Sequence, residues 1–280
     1  MPITANHIEL ERFIAKVAES KRSALLLDYD GTLAPFSVER QEAAPYPGVV
    51  PTLQEIMASG RTRVVIITGR SSAEVVALLG IHPHPEIWGL HGLEHLSPDG
   101  TYEMPRLNED ISGALTEAER WLTIQGLEAL AEHKLGSIAV HWRGLPEARA
   151  LEVRHQVLRG WFPIAQSAPM SIMEFDGGVE IRVPDLHKGD AVQSVIKEMG
   201  TGTPIAYLGD DATDERAFAA LGSRGLSVLV RADWRKTSAQ VWLCPPNELL
   251  DFLMRWMEAC TGRRPRSSRW NAAPERNIYE

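Results

Sequence analysis

Four short apolar runs limit this chain's fold more than any other feature: residues 24–27, 64–67, 205–208 and 226–230. None of them alternates apolar with polar residues. A strand with one wet face alternates; a run that does not has both faces covered, as in the parallel sheets of α/β proteins. Between the runs, apolar residues recur at helical spacing. Val49, Leu53 and Ile56 share one face, as do Val192, Val195 and Met199, and then Leu249, Leu253, Trp256 and Cys260 behind Asn247 as an N-cap. Strands alternating with helices predict an α/β fold built on a doubly wound parallel sheet.

The middle of the chain has a different rhythm. Ile111, Leu115, Ala118 and Leu122 mark one helix, and Ala150, Val153, Val157 and Trp161 a second. Residues 137–141, 171–175 and 179–183 read as strands, the last two joined by Asp176-Gly177-Gly178 as a hairpin turn. This predicts an α+β insertion over 105–184 that splits a core into 1–104 and 185–260. Residues 261–280, with Arg263, Arg264, Arg266 and Arg269 among serine, proline and asparagine, are expected to form a flexible tail.

With 280 residues the chain can bury a substantial core. Its net charge of −8 argues against a broad nucleic-acid surface. No apolar run is long enough to span a bilayer, and the N-terminal residues show no charged segment leading into an apolar one. Cys244 and Cys260 form no metal-type pair. The expectation is a cytoplasmic monomer that binds a small molecule, with neither nucleic-acid nor membrane partners.

Chemistry concentrates at the ends of the apolar runs. Leu25-Leu26-Leu27 leads directly into Asp28-Tyr29-Asp30-Gly31-Thr32. Ligands of open α/β sheets bind at the carboxyl ends of strands, and alternation along an extended chain turns Asp28 and Asp30 to one side. Thr68-Gly69-Arg70 follows the second run; a hydroxyl at a strand end, before a tight turn and a helix start, can hold a phosphate oxygen. Lys188-Gly189 precedes a helix, where an ammonium can neutralise an anion. Gly209-Asp210-Asp211-Ala212-Thr213-Asp214-Glu215 follows the third run. So many acids at one strand end repel each other unless a cation sits among them, and magnesium takes carboxylate, phosphate and water oxygens. Asp211 can bond Lys188 or the backbone, while Asp214 and Glu215 suit the first turn of a helix.

The first motif resembles that of the haloacid dehalogenase superfamily of phosphatases. The resemblance implies that Asp28 attacks phosphorus to form an aspartyl-phosphate, and that Asp30 protonates the leaving alkoxide and then activates water. A carboxylate nucleophile divides one hard displacement into two easier ones, and a positioned acid contributes about 10²–10⁴-fold. The resemblance also implies Mg²⁺ held by Asp28, the backbone carbonyl of Asp30 and Asp210, with Asp214 as a further ligand, directly or through water. Thr68 and Lys188 complete the catalytic set. Without the cation and Lys188, an anionic Asp28 would be repelled by the phosphate.

A closer resemblance is to the trehalose-6-phosphate phosphatases. It rests on Asp28 through Pro35, on Gly89-Leu90-His91-Gly92-Leu93-Glu94, and on Glu132-x-Lys134 with Ser137 and His141-Trp142-Arg143. Trp142 stands where tyrosine is usual. Glu180-Ile181-Arg182, Lys188-Gly189 and the 209–215 acids continue the match in order, over roughly residues 22–220. It implies a core with an inserted cap, trehalose 6-phosphate as substrate, and Arg70, His91, Glu132, Lys134, Arg143 and Glu180 as substrate contacts. His91 and Glu94 can alternatively serve as partners of one another. Other readings stay open: a phosphatase of glucosyl- or mannosyl-glycerate phosphate or of sucrose phosphate, a phosphosugar mutase, or a non-catalytic phosphosugar sensor. The cap is expected to close on the core about hinges near Pro105 and Pro184.

Overall fold

The structure, a computed structural model, describes residues 3–37, 40–104, 109–134, 136–183 and 187–263. Helix α1 (Ile3–Glu19) leads into β1 (Ser23–Leu27), the strand that ends at the first motif. Next come α2 (Val49–Ala58), β2 (Thr62–Ile67), α3 (Ser72–Leu79), β3 (Glu86–Gly89), β4 (Glu94–Leu96) and β5 (Tyr102–Glu103). A separate group follows: α4 (Glu109–Gln125), β6 (Ala131–Lys134), β7 (Ser137–His141), α5 (Glu147–Ser167), β8 (Ser171–Phe175) and β9 (Gly178–Arg182). The chain then runs through α6 (Lys188–Met199), β10 (Ile205–Gly209), α7 (Glu215–Leu221), β11 (Leu226–Val230), β12 (Val241–Leu243) and α8 (Asn247–Thr261).

The larger sheet has eight strands in the order β12-β11-β10-β1-β2-β3-β4-β5. From β12 to β3 all pairs are parallel, and β4 and β5 add an antiparallel edge. Every residue of β1, β10 and β11 is buried, which is why these strands do not alternate. Leu25 and Leu27 pack with Phe13 of α1, Leu53 of α2, Val75 of α3 and Trp256 of α8. Ala24 and Leu26 face the other way, toward Val192 and Val195 of α6 and Phe218 and Leu221 of α7.

Strand order decides where a ligand can bind. From β1 the chain steps outward to β2 and β3; on its return, β10 takes the opposite flank of β1. Connections therefore leave β1 and β10 in opposite directions and open a crevice at their carboxyl ends. The N–H of Asp28 donates to the Leu208 carbonyl at 2.9 Å, which brings Asp28 beside the acid-rich segment after β10.

The second sheet, β6-β7-β9-β8, is antiparallel throughout. Ile138, Val140, Val179 and Ile181 cover one face and pack on α4 and α5 through Leu122, Val153, Val157 and Trp161, so this group has its own core. Glu132 and Glu180 both pair in register with Ala139, which turns the two acids to the opposite face.

Several expectations shift at their edges. Strands β3 to β6 and β12 escaped the sequence reading because they are short or carry charge. Glu86, for example, opens β3 yet is buried, because Arg63 of β2 reaches it at 2.6 Å. Asn247 is the first residue of α8 and not its cap; the capping contact there is Glu248, which accepts from the Cys244 N–H at 2.6 Å. Pro105, Pro184 and residues 264–280 lie outside the described residues. No described helix is long and apolar enough to cross a membrane.

Trp161 is fully buried at the centre of the second core. Trp161→Ala should therefore destabilise that group by about 3–5 kcal/mol. In a urea melt followed by circular dichroism, the first transition should move to lower denaturant.

Candidate active site

The strand ends bring four of the sequence candidates into one buried cluster. Lys188, at the start of α6, donates to Asp28 Oδ1 at 2.6 Å and to Asp214 Oδ1 at 2.8 Å. One carboxylate oxygen from each of Asp28, Asp210 and Asp214 lies within 4.8 Å of the others. Thr32 donates to the second oxygen of Asp28 at 3.2 Å. Asp214 is saturated: Oδ1 also accepts from the Tyr207 hydroxyl at 2.6 Å, and Oδ2 accepts from the N–H groups of Asp210 and Asp211 at 2.8 and 3.0 Å. Asp211 turns instead to the N–H and hydroxyl of Thr213. Of the two partners considered for it, the backbone wins, and Asp214 takes Lys188.

Two glycines make room for this packing. A Cβ on Gly31, whose φ is +80°, would lie 2.3 Å from Asp210 Oδ2, and one on Gly209 would lie 2.3 Å from Asp214 Cγ. Only hydrogen fits at either position.

Charge is unbalanced here, with three carboxylates against one ammonium. Burial raises the Asp28 carboxyl, and Asp214 adds to the rise against the pull of Lys188. Burial raises Asp210 further, together with Asp28, Asp214 and Asp211. Burial alone would discharge Lys188, but Asp214 and Asp28 outweigh it and hold the ammonium well above its usual range. Among the described residues, no hydrogen bond reaches the Asp210 carboxylate.

Asp30 turns instead to the segment that follows β2. Arg70 grips it through Nε and Nη2, at 2.7 Å to Oδ2 and 2.6 Å to Oδ1. The buried Arg70 guanidinium lies 5.4 Å from the centre of the Tyr29 ring. Thr68 is buried, and its hydroxyl accepts from the Arg70 N–H at 3.2 Å. The tight turn at 90–91, where Leu90 and His91 both have positive φ, is tied to this segment by bonds from their N–H groups to Arg70 and Thr68 carbonyls. His91 rests its ring on Gly69. Glu94 is not its partner; it accepts from the Ser72 N–H and from the Tyr102 hydroxyl.

The candidates on the second sheet divide. Glu132 pairs with His141 Nε2 at 2.9 Å, and Glu180 is buried and accepts from Ser137 at 2.6 Å, both on the polar face. Arg143 stands apart beside the hairpin turn, exposed, with its guanidinium on the Asp176 carbonyl at 2.9 Å. Lys134 pairs in register with Ser137, and its side chain lies outside the described residues.

The trehalose-phosphatase family model matches residues 26–242. The chain belongs to the trehalose-phosphatase family. A trehalose-phosphate phosphatase of Mycobacterium marinum is 32% identical over 253 residues, covering 84% of this chain and 61% of that protein. The chain thus spans about three-fifths of the length of the curated relatives it matches. Among solved structures, trehalose-6-phosphate phosphatase of Aspergillus fumigatus superposes with a TM-score of 0.66 at 24% identity, covering 89% of this chain and 97% of that one. A phosphatase of the haloalkanoate (HAD) superfamily from Bacteroides thetaiotaomicron gives 0.56 at 16% identity, covering 84% and 95%. The fold is thus the HAD one, a doubly wound core with an α+β cap inserted.

Thr32, Tyr207 and Arg235 also bond into the buried cluster, and the sequence suggested no role for them. Tyr207 left a trace, a phenol within an otherwise aliphatic buried strand. Arg235 left none, because it approaches the acids from a loop beyond β11.

The donor set suits a hard divalent cation. Asp28 and Asp210 offer carboxylate oxygens in a buried cluster with surplus negative charge, the combination that such ions favour. Burial and neighbouring acids raise both groups, so protons compete with a cation for the same oxygens. Affinity for Mg²⁺ or Mn²⁺ should rise with pH through the neutral range. Calorimetry in two buffers of different ionisation enthalpy should show proton release, and a buffer-independent enthalpy would contradict the scheme.

Proposed function

We propose that this chain is a magnesium-dependent phosphatase that hydrolyses trehalose 6-phosphate to trehalose and phosphate. One observation carries the reaction type: Asp28 and Asp210, at the ends of adjacent strands, share a buried cluster with Lys188. Membership of the trehalose-phosphatase family supports the substrate.

Asp28 is the nucleophile. Its carboxylate attacks phosphorus as the bond to the sugar oxygen breaks, leaving an aspartyl-phosphate. Lys188 neutralises charge between Asp28 and the incoming phosphate, and Asp214 with Tyr207 holds Lys188 in place. Asp28, Asp210 and the Asp30 carbonyl would hold Mg²⁺, which supplies charge neutralisation and in-line alignment. Asp214, with its oxygens already occupied, serves as the orienting acid of Lys188. The Thr68 hydroxyl and nearby N–H groups receive phosphate oxygens.

Asp30 hands a proton to the leaving sugar oxygen, then takes one from the water that cleaves the aspartyl-phosphate. Both Asp30 oxygens are engaged by Arg70, so each transfer requires one of them to be released. Arg70 is well placed to turn from Asp30 to the phosphate as that release occurs. The polar face of the second sheet, with Glu132 and Glu180, reads sugar hydroxyls, and the cap that carries it excludes bulk water. Lys134 and Arg143 are assigned to the same task, Arg143 by swinging in from its exposed place. His91 contributes by shaping the turn beside Thr68.

Phosphate release from a panel of sugar phosphates, with and without Mg²⁺, tests the proposal. Trehalose 6-phosphate should be the best substrate and the metal required. Faster release from sucrose phosphate, or from glucosyl- or mannosyl-glycerate phosphate, would overturn the substrate assignment. Asp28→Asn should release no phosphate above background, and Asp30→Asn should lower kcat by about 10²–10⁴-fold.

A further inference from the structure

The bend that carries Asp210 is held from two sides. On one side, Asp214 Oδ2 accepts from the N–H groups of Asp210 and Asp211. On the other, Arg235 donates to the carbonyls of the same two residues: Nε to Asp210 at 3.1 Å, and Nη2 to Asp211. The third arm of the guanidinium, Nη1, pairs with Glu215 Oε1 at 2.6 Å. Glu215 in turn accepts from the Thr237 hydroxyl at 2.7 Å and the Ser238 N–H at 2.9 Å, which laces the 235–238 loop to the start of α7.

We infer that Arg235 is a positioning residue for the divalent-cation site. The inference rests on the cation-binding reading given above. With no described residue bonding its carboxylate, Asp210 depends on its backbone, and on packing against Gly31, for its aim. Two successive residues, each held at both its N–H and its carbonyl, leave that backbone little freedom. Arg235 reaches both carbonyls because a guanidinium is a planar fork; an ammonium on a flexible stem cannot span two acceptors and a carboxylate at once. Loss of the fork would let the bend relax and Asp210 swing toward solvent, widening the gap between two ligands that must meet one ion.

Mn²⁺ binding to the substrate-free protein, followed by electron paramagnetic resonance, tests this without turnover. Wild type should bind the ion and Asp210→Asn should not; if wild type fails to bind, or Asp210→Asn binds equally, the cation-site reading itself falls. With those controls in place, Arg235→Gln should weaken Mn²⁺ by about 10–100-fold, the usual cost of losing a group that orients a metal ligand. Its deficit in phosphate release should shrink as Mn²⁺ is raised. Arg235→Lys keeps the charge and should be nearly as weak. Unchanged Mn²⁺ affinity in Arg235→Gln, even with a lowered melting temperature, would overturn the proposal, as would full affinity in Arg235→Lys. If Arg235→Gln does not fold, Glu215→Gln decides the matter: it removes only the third anchor and should weaken Mn²⁺ by a smaller factor, whereas unchanged affinity would count against the role.

Discussion

The ammonium of Lys188, shared between Asp28 and Asp214, is the interaction on which the other features of the site depend. Burying three carboxylates without it would be prohibitively costly, and burying one ammonium among apolar strands would be equally so. Together they are tolerable because the other oxygens of Asp28 and Asp214 also find donors. Tyr207, the N–H groups of Asp210 and Asp211, and Thr32 supply those donors. Lys188 gathers segments 160 and 26 residues away in sequence, so it can act only after β1, α6 and β10 have assembled.

Parallel strands make this gathering possible. They end side by side, so residues distant in sequence arrive at one edge of the sheet. The reversal of strand order between β1 and β10 then keeps the connecting helices from covering that edge. The carboxylates left over after Lys188 pairs suit the crevice to a cation. The second sheet is a different solution: one face is apolar and buried under α4 and α5, and the other is left polar with Glu132 and Glu180. In the function proposed here, phosphoryl chemistry and hydroxyl recognition fall to units with separate cores, which allows either to change without unpacking the other.

Much of this was legible in the residues. The strands β1, β2, β10 and β11 were readable because burial on both faces forces runs of aliphatic residues. The short edge strands were not, since β3 carries Glu86 and depends on Arg63 from a neighbour to bury it. Asp28, Asp30 and Asp210 stood out as acids at strand ends, and Lys188, at a helix start, by its place in the order of the family resemblance. Their partners were harder to foresee. Asp211 and Asp214 are both acids of one motif, and nothing local tells which receives Lys188.

The sequence by itself determined the layered α/β core, the hairpin at Asp176-Gly177, and the placement of acids at strand ends, because periodicity, turn chemistry and glycine requirements act over a few residues. Only the tertiary structure decided that Asp214 orients Lys188, that Arg70 holds Asp30, that Glu94 supports α3 and not His91, and that Arg235 closes the Asp210 bend. Each of these is a contact between distant segments, and its geometry exists only once the strands have taken their order.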